Sequence, residues 1–333
     1  MIEVLVSGFL STVQDLGRHG YRDEGVAITG AMDKLALNAG NRLLGNDPNA
    51  AAIEVTMFPF AVRFLETTRI AVTGAESRAT LDGEPVLPWW VVSARAGQVL
   101  RLNPPARGGI AYLVVGGGID VPVVLQSRST DLKVGIGGFG GRSLRKNDRL
   151  PTGSASRARI DWHGGYGVES PQDALAMNFS ADPSRDDSPD VTRVRVLPAS
   201  EYEKFPAMAR QLFWKSDWLI SPNSNRSAFR LSGQALQATG HHDVMYSHGI
   251  VPGIIQVPPA GQPIIQMADA NTHGGYPKIG TVIEADMWRL AQTKLGSLLR
   301  FVQASYEEAV AAWVAERAYL QAVTQALELD EGR

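Results

Sequence analysis

The sequence has no cysteine among its 333 residues. Disulfides, thiolate metal sites, Cys-ligated iron–sulfur clusters and a cysteine nucleophile are therefore excluded. An excess of one charge is also missing. Lys and Arg number 32 and Asp and Glu 34, a formal net charge of −2. That balance offers no electrostatic grip on nucleic acid or an anionic membrane. Long hydrophobic runs are absent too. The most apolar stretch, Ile110–Leu125, is broken by three glycines, Asp120 and Pro122, which is too interrupted to span a bilayer. Met1–Leu10 carries Glu3 and no Lys or Arg, so a secretory leader is not expected and a cytoplasmic location is. There is no G-x-x-x-x-G-K-[ST] loop, no G-x-S-x-G elbow and no H-E-x-x-H pair.

What is present points to a mainly β chain. Hydrophobic residues make up 44% and charged residues 20%, the balance of an ordinary globular protein of about two domains. Glycines (34) and prolines (19) sit between short β-branched runs, the pattern of short strands joined by tight turns. Strands are expected at Ile2–Val6, Phe60–Leu65, Arg69–Val72, Trp90–Val92, Val99–Leu102 and Ile110–Val115. More are expected at Val191–Leu197, Phe229–Leu231, Ile254–Val257, Ile264–Met267 and Leu298–Val302. Helices are fewer. Ala31–Leu44 runs into the stop signal Gly45-Asn46-Asp47-Pro48. Ser200–Phe213 is interrupted by Pro206, and Ala285–Gln292 is short. Ser305–Leu329 places Val310, Trp313, Val314, Leu320, Val323 and Leu327 broadly on one side, and Ser305 with Glu308 fits a capping box.

The Ser-, Gly-, Asp- and Pro-rich stretch 153–190 reads as a linker or surface loop. It separates a module over 1–152 from one over 191–304, with a C-terminal helix over 305–333. Leu81–Val86 followed by Ile110–Val115 is echoed by Leu231–Leu236 followed by Pro263–Met267, as a duplicated β unit would give.

Three segments concentrate chemistry. Thr12–Gly20 packs Gln14, Asp15, Arg18 and His19 into a few residues. These cannot all be unpaired core groups. A solvated turn with an Asp15–Arg18 ion pair and a binding segment both fit. Next come Gly116–Asp120, Ser127–Asp131 and Gly135–Gly141. The last formally contains G-x-G-x-x-G, but Arg142–Asp148 behind it is no sheet-covering helix, which argues against a dinucleotide fold. Either its backbone N–H groups approach an anion beside Arg128, or the glycines form plain turns. The third segment, Gly249–Gly280, is the densest. Ile254–Val257 and Ile264–Met267 flank a Pro-Pro-Ala-Gly turn, so a hairpin would deliver Asp269, Asn271, Thr272, His273 and Lys278 on one loop. Carboxylate, imidazole and amine together can supply base, acid and charge stabilisation. His241, His242, Asp243 and His248 fit either a metal site or a solvated loop. Ser221–Arg226 either presents Asn225 and Arg226 to a site or forms an Asx turn.

Thr12–Gly20, Gly116–Asp120 with Ser127–Asp131, Gly137–Arg149, Ser224–Arg226 and Gly249–Gly280 together resemble one family. It is variously called the 5-oxoprolinase C subunit, allophanate hydrolase subunit 2 or biotin-dependent carboxyltransferase, and it includes an antagonist of the sporulation-kinase inhibitor Kip. The resemblance spans about Ile2 to Val302. It implies two cyclophilin-like β-barrel modules. It implies the Kip inhibitor-like B subunit and the A subunit of 5-oxoprolinase as partners, and a small-molecule amide as substrate. The main expectation is the C subunit of an ATP-dependent 5-oxoprolinase, an amide-bond hydrolase inactive alone, with ATP and Mg²⁺ shared with a partner. The alternatives are a carboxyltransferase component acting on urea with a biotin enzyme, and a regulatory protein antagonising a kinase inhibitor. No Met-Lys-Met-like attachment site is present, so no covalently attached biotin is expected.

Urea, biotin and 5-oxoproline share an N–C=O group. On that basis Lys278 is expected to stabilise charge on oxygen, Asp269 to act as base or hold Mg²⁺, and His273 to shuttle a proton. Arg128 is expected to bind carboxylate or phosphate. Gln14, Gln256 and Asn271 would read the amide edge, with Asp15, Arg18, Asn225, Arg226 and Thr272 completing the binding set. No protein-held metal set is expected. Asn271 and His273 stand where many members carry Gln and a second Thr, and Gln126 stands where Gly is common.

Overall fold

Every run of β-branched residues expected as a strand forms one, with ends that move by a residue or two. The computed structural model describes residues 1–154, 165–176, 191–237 and 245–331. Most of the 153–190 stretch, and His241, His242 and Asp243, lie outside the described residues. The chain forms two compact units. One comprises Met1–His19, Thr29–Ala176 and Glu316–Arg333, the other Gly20–Ile28 and Met177–Ala315.

The first unit takes its strands in two antiparallel six-stranded sheets rather than in a barrel. One sheet runs Arg149–Leu150, Ile2–Val6, Phe60–Phe64, Val99–Leu102, Thr80–Leu81, Glu84–Pro85. The other runs Tyr166–Gly167, Trp90–Ala94, Thr68–Gly74, Ala111–Val115, Ala52–Val55, Ser11–Gln14. Alternate residues meet in one core: Ile2, Val4, Val62, Phe64, Leu100 and Leu102 from the first sheet, and Ile53, Val55, Ile70, Val72, Leu113 and Val115 from the second. The period of two sends every second side chain inward. Truncating one such Leu to Ala typically costs about 2–5 kcal/mol.

Helix Lys34–Leu43 packs on the second sheet. Asp33 caps it, its Oδ1 accepting from the Ala36 N–H at 2.8 Å. A Cβ on Gly40 would come within 2.7 Å of Val114. Only glycine lets the helix lie this close.

The second unit is a closed barrel of seven strands. In order they are Val191–Pro198, Lys278–Val282, Ile254–Gln256, Ile264–Gln266, Ala228–Ser232, Asp217–Ile220 and Leu298–Gln303. All neighbours are antiparallel except the pair that closes it, Val191–Pro198 against Leu298–Gln303. Trp218, Leu299, Phe301, Ile255, Ile265 and Ile279 are fully buried. Helix Ala207–Lys215 begins behind Pro206 and stacks Phe213 on Phe301, ring centroids 4.6 Å apart. The mainly β class with few helices thus holds. The echoed segments differ in place: Leu81–Val86 overlaps an edge hairpin, whereas Leu231–Leu236 begins within a barrel strand.

The C-terminal helix spans Tyr306–Glu331. The capping box forms as expected, Ser305 N–H to Glu308 Oε2 at 2.7 Å and Glu308 N–H to Ser305 Oγ at 3.2 Å. Only the C-terminal part of the apolar side is covered. Tyr319, Val323 and Leu327 are buried, while Val310, Trp313 and Val314 are exposed. Among the described residues, no helix is long and apolar enough to cross a membrane.

Candidate functional site

In the first unit Thr12–Asp15, Gly17 and Arg18 are buried rather than solvated, while His19 is exposed. Ser11–Gln14 is an additional strand, paired with Ala52–Val55. The Asp15–Arg18 ion pair does not form. Asp15 Oδ1 instead accepts from Gly17 N–H (2.9 Å), Ser127 Oγ (2.7 Å) and Ser129 Oγ, and its Oδ2 accepts from Arg128 N–H (2.6 Å). Arg18 is fully buried and donates to Val124 O (3.1 Å), Thr29 Oγ1 (3.1 Å) and Ser129 O (2.9 Å). A buried charge without a counterion needs such neutral acceptors. Gln14 Nε2 donates to Thr12 Oγ1 (3.0 Å) and Thr130 O (3.2 Å), while its buried Oε1 has no partner.

The glycine run packs against this cluster. A Cβ on Gly137 would lie 2.1 Å from Ser129 O, and one on Gly138 1.9 Å from Thr130 Oγ1. The N–H groups of Gly135, Ile136, Gly138 and Gly141 are spent on carbonyls of the same region. The run is therefore a set of turns that lets the chain cover Arg18, not an anion cradle. The Arg128 side chain is committed as well, to Asp120 Oδ1 (3.0 Å) and Val121 O (3.0 Å).

In the second unit the expected hairpin is present, with Ile255 opposite Ile265. It carries two buried amides. Gln266 Nε2 donates to Gln256 Oε1 (3.1 Å), and Gln256 Nε2 donates to Tyr276 O (3.1 Å). Beyond the hairpin Arg226 clamps Asp269 through two bonds of 2.9 Å each. Both side chains are largely buried, so this carboxylate is already neutralised. Asn225 Oδ1 accepts from Ser227 N–H (2.8 Å) and Ala228 N–H (3.3 Å), which is the Asx turn. Asn271 and His273 are exposed, and Thr272 Oγ1 lies 2.9 Å from His273 Nδ1.

Lys278 opens the strand Lys278–Val282, an element with no clear signal in the sequence. Its backbone N–H donates to Glu201 Oε2 at 3.0 Å. Burial pushes the Glu201 carboxyl up. The Ser200 hydroxyl, the Lys278 amide and the charges of Lys278 and His248 outweigh this and hold it below the usual carboxylate range. His248 pairs with Gly274 in a two-stranded ladder with Gly249 and His273. Its Nδ1 lies 3.1 Å from Tyr246 O, and its buried Nε2 has no partner. At the end of that ladder Arg22 Nη2 donates to Ile250 O and, at 3.4 Å, to Thr272 O; Arg22 Nη1 is buried without a partner.

Glu201 and Arg22 lie outside the expected site. By sequence Glu201 belongs to a candidate helix, and Arg22 falls in none of the three segments singled out. Their partners lie 77 and 228 residues away in sequence, so no local signal could have marked them. Among the described residues, no group of three or more His, Asp or Glu side chains could hold a metal ion. A cavity of about 190 Å³ in the first unit, lined by Val72, Ser77, Val86 and Pro88 among others, includes none of the residues above.

Similarity to known proteins extends over most of the chain. Residues 24–303 match the family model described as carboxyltransferase domain, subdomain A and B. The chain is 43% identical to the 5-oxoprolinase C subunit of Escherichia coli (strain K12), covering 96% of this chain and 97% of that one. It is 41% identical to the 5-oxoprolinase C subunit of Haemophilus influenzae, covering 93% of each. The crystal structure of the K. lactis urea amidolyase superposes with a TM-score of 0.83 at 27% identity, over 97% of this chain but only 20% of that one.

Proposed function

This protein belongs to the family of carboxyltransferase domains, subdomains A and B, and from that premise we propose that it is the C subunit of a heteromeric, ATP-dependent 5-oxoprolinase. The observation that carries the proposal is the 43% identity, over nearly the whole of both chains, to a protein of that name. In this reading the chain works with the A and B subunits, is inactive alone, and opens 5-oxoproline to glutamate in the cytoplasm. A second reading, transfer of a carboxyl group to urea, is favoured by the fold shared with urea amidolyase. It has the weaker support, since this chain spans only a fifth of that protein.

The chemistry proposed for this chain rests on its second unit. Lys278 stabilises negative charge on the amide oxygen. His273, exposed on the same loop, moves a proton. The Gln256–Gln266 pair presents amide groups to a substrate amide. Asp269 acts by fixing Arg226 and the start of the loop rather than as a base. A carboxylate held in two charge-assisted bonds is a poor proton acceptor. ATP supplies the driving force for opening a stable lactam. The chain has no Walker A loop. Its described residues also offer no ready set of metal ligands, although nucleotide-bound Mg²⁺ needs only one or two protein carboxylates. We therefore assign most of the nucleotide site to the partner proteins.

Co-expression with the A and B subunits, assayed for 5-oxoproline-dependent ATP hydrolysis and glutamate release, tests the proposal. Activity should need all three proteins. An assembled complex that consumes urea and bicarbonate but not 5-oxoproline would establish the second reading instead.

A further inference from the structure

Two polar groups at the small ladder of the second unit are buried and unused, and they differ in kind. Arg22 is a donor. Its Nη2 is occupied by the Ile250 and Thr272 carbonyls, which fixes the guanidinium, while Nη1 is buried with no partner. His248, in its uncharged form, is an acceptor: with Nδ1–H directed at Tyr246 O, the lone pair lies on Nε2, which is buried with no partner. Buried polar atoms are satisfied in the great majority of cases, so each exception needs a reason. One exception could be a local defect. A donor and an acceptor at one two-stranded ladder are a complementary set.

Both groups belong to the same ladder. The guanidinium donates to Ile250 O, two residues beyond His248, and Ile250 N–H continues the ladder to Thr272 O at 3.0 Å. The other cations considered as carboxylate partners are already committed, Arg128 to Asp120 and Arg226 to Asp269. Arg22 forms no ion pair among the described residues.

We propose that Arg22 and His248 are a recognition pair, in which the guanidinium binds a carboxylate and His248 Nε2 accepts an amide N–H, so that the ligand is a cyclic amide bearing an acid group. The inference rests on the 5-oxoprolinase reading for the identity of that amide. The pair adds specificity: a site built around a hydrogen bond to an N–H discriminates strongly against an analogue that lacks it.

The test is calorimetric titration of the fully assembled heteromer with three ligands. They are 5-oxoproline, 2-pyrrolidinone (no carboxylate) and the lactone analogue of 5-oxoproline (no N–H). Arg22→Met should weaken 5-oxoproline and the lactone about tenfold or more and leave 2-pyrrolidinone within about twofold. His248→Asn keeps a donor toward Tyr246 but removes Nε2. It should weaken both lactams by a similar factor and spare the lactone. Arg22→Lys, which keeps the charge, should retain part of the preference for carboxylates. Equal weakening of all three ligands by either variant, as a folding defect would give, overturns the pair. So does unchanged discrimination, and so does a wild-type complex that fails to bind 5-oxoproline at millimolar concentration. Binding of 5-oxoproline without ATP-dependent turnover would leave the pair standing and sink the proposed activity.

Discussion

The Asp15–Arg18 cluster of the first unit and the His248–Lys278 region of the second are both dense in polar groups, and they spend those groups differently. Around Asp15 nearly every donor and acceptor is used inside the protein. Four donors converge on one carboxylate, three acceptors serve one guanidinium, and glycines make room for both. Around His248 the groups are bonded on one side and buried without a partner on the other. Arg22 and His248 each have one nitrogen bonded and one free. A satisfied network rigidifies. A fixed group with an unused valence is prepared for something else to bind. Density of polar residues, which draws attention to both segments in the sequence, does not separate these cases. The accounting of partners does.

If the contrast is real, substitutions in the two regions should fail in different assays. Asp15→Ala leaves two N–H groups and two hydroxyls without their acceptor. With about 1–3 kcal/mol lost for each buried group left unsatisfied, it should lower unfolding free energy by roughly 3–5 kcal/mol in urea denaturation, and near-wild-type stability would erase the distinction. Lys278→Ala should do the reverse. Turnover of the assembled complex should fall by about 10²–10³, with a melting temperature close to wild type. Asp269→Asn sharpens the boundary. As a clamp for Arg226 it should cost about 1–3 kcal/mol of stability with a comparatively modest loss of turnover in the complex that still assembles. If turnover instead vanished with stability intact, Asp269 would be restored as a base.

The smallest expected effect is at Glu201, and it depends on pH. Its carboxyl is held lower in the folded protein than in the unfolded chain. The stabilisation is therefore present above the unfolded value and is lost as pH falls through the folded one. Wild type should exceed Glu201→Gln in melting temperature at neutral pH, and the difference should shrink on acidification. A gap that widened in acid would reverse the assignment.

Much of the fold was legible because its signals are local. Alternation in Ile2–Val6 and Val99–Leu102 marks strands. The Pro-Pro-Ala-Gly turn marks the hairpin, and Ser305 with Glu308 marks a helix start. Ser11–Gln14 escapes such a reading because its polar residues imitate a loop. The Gln14 amide is buried with a partner, Thr130 O, that lies more than 110 residues on. Asp217–Ile220 and Lys278–Val282 lack strong local alternation and are strands because the barrel needs them. Composition alone identifies the loop carrying Asp269 and Lys278. Composition could not reveal that Arg226 neutralises the first, or that Arg22 reaches that loop from the N-terminal segment.

The parallel pairing of Val191–Pro198 with Leu298–Gln303 has a consequence for how the protein is made. These are the first and last strands of the barrel. During synthesis from the N-terminus, the strand that seals it emerges last. Until then two long-separated edges, Val191–Pro198 and Asp217–Ile220, stay open. Such edges are templates for pairing with other chains, and long-range closure is slow. A chain stopped before Leu298 should therefore aggregate rather than accumulate as a smaller folded barrel.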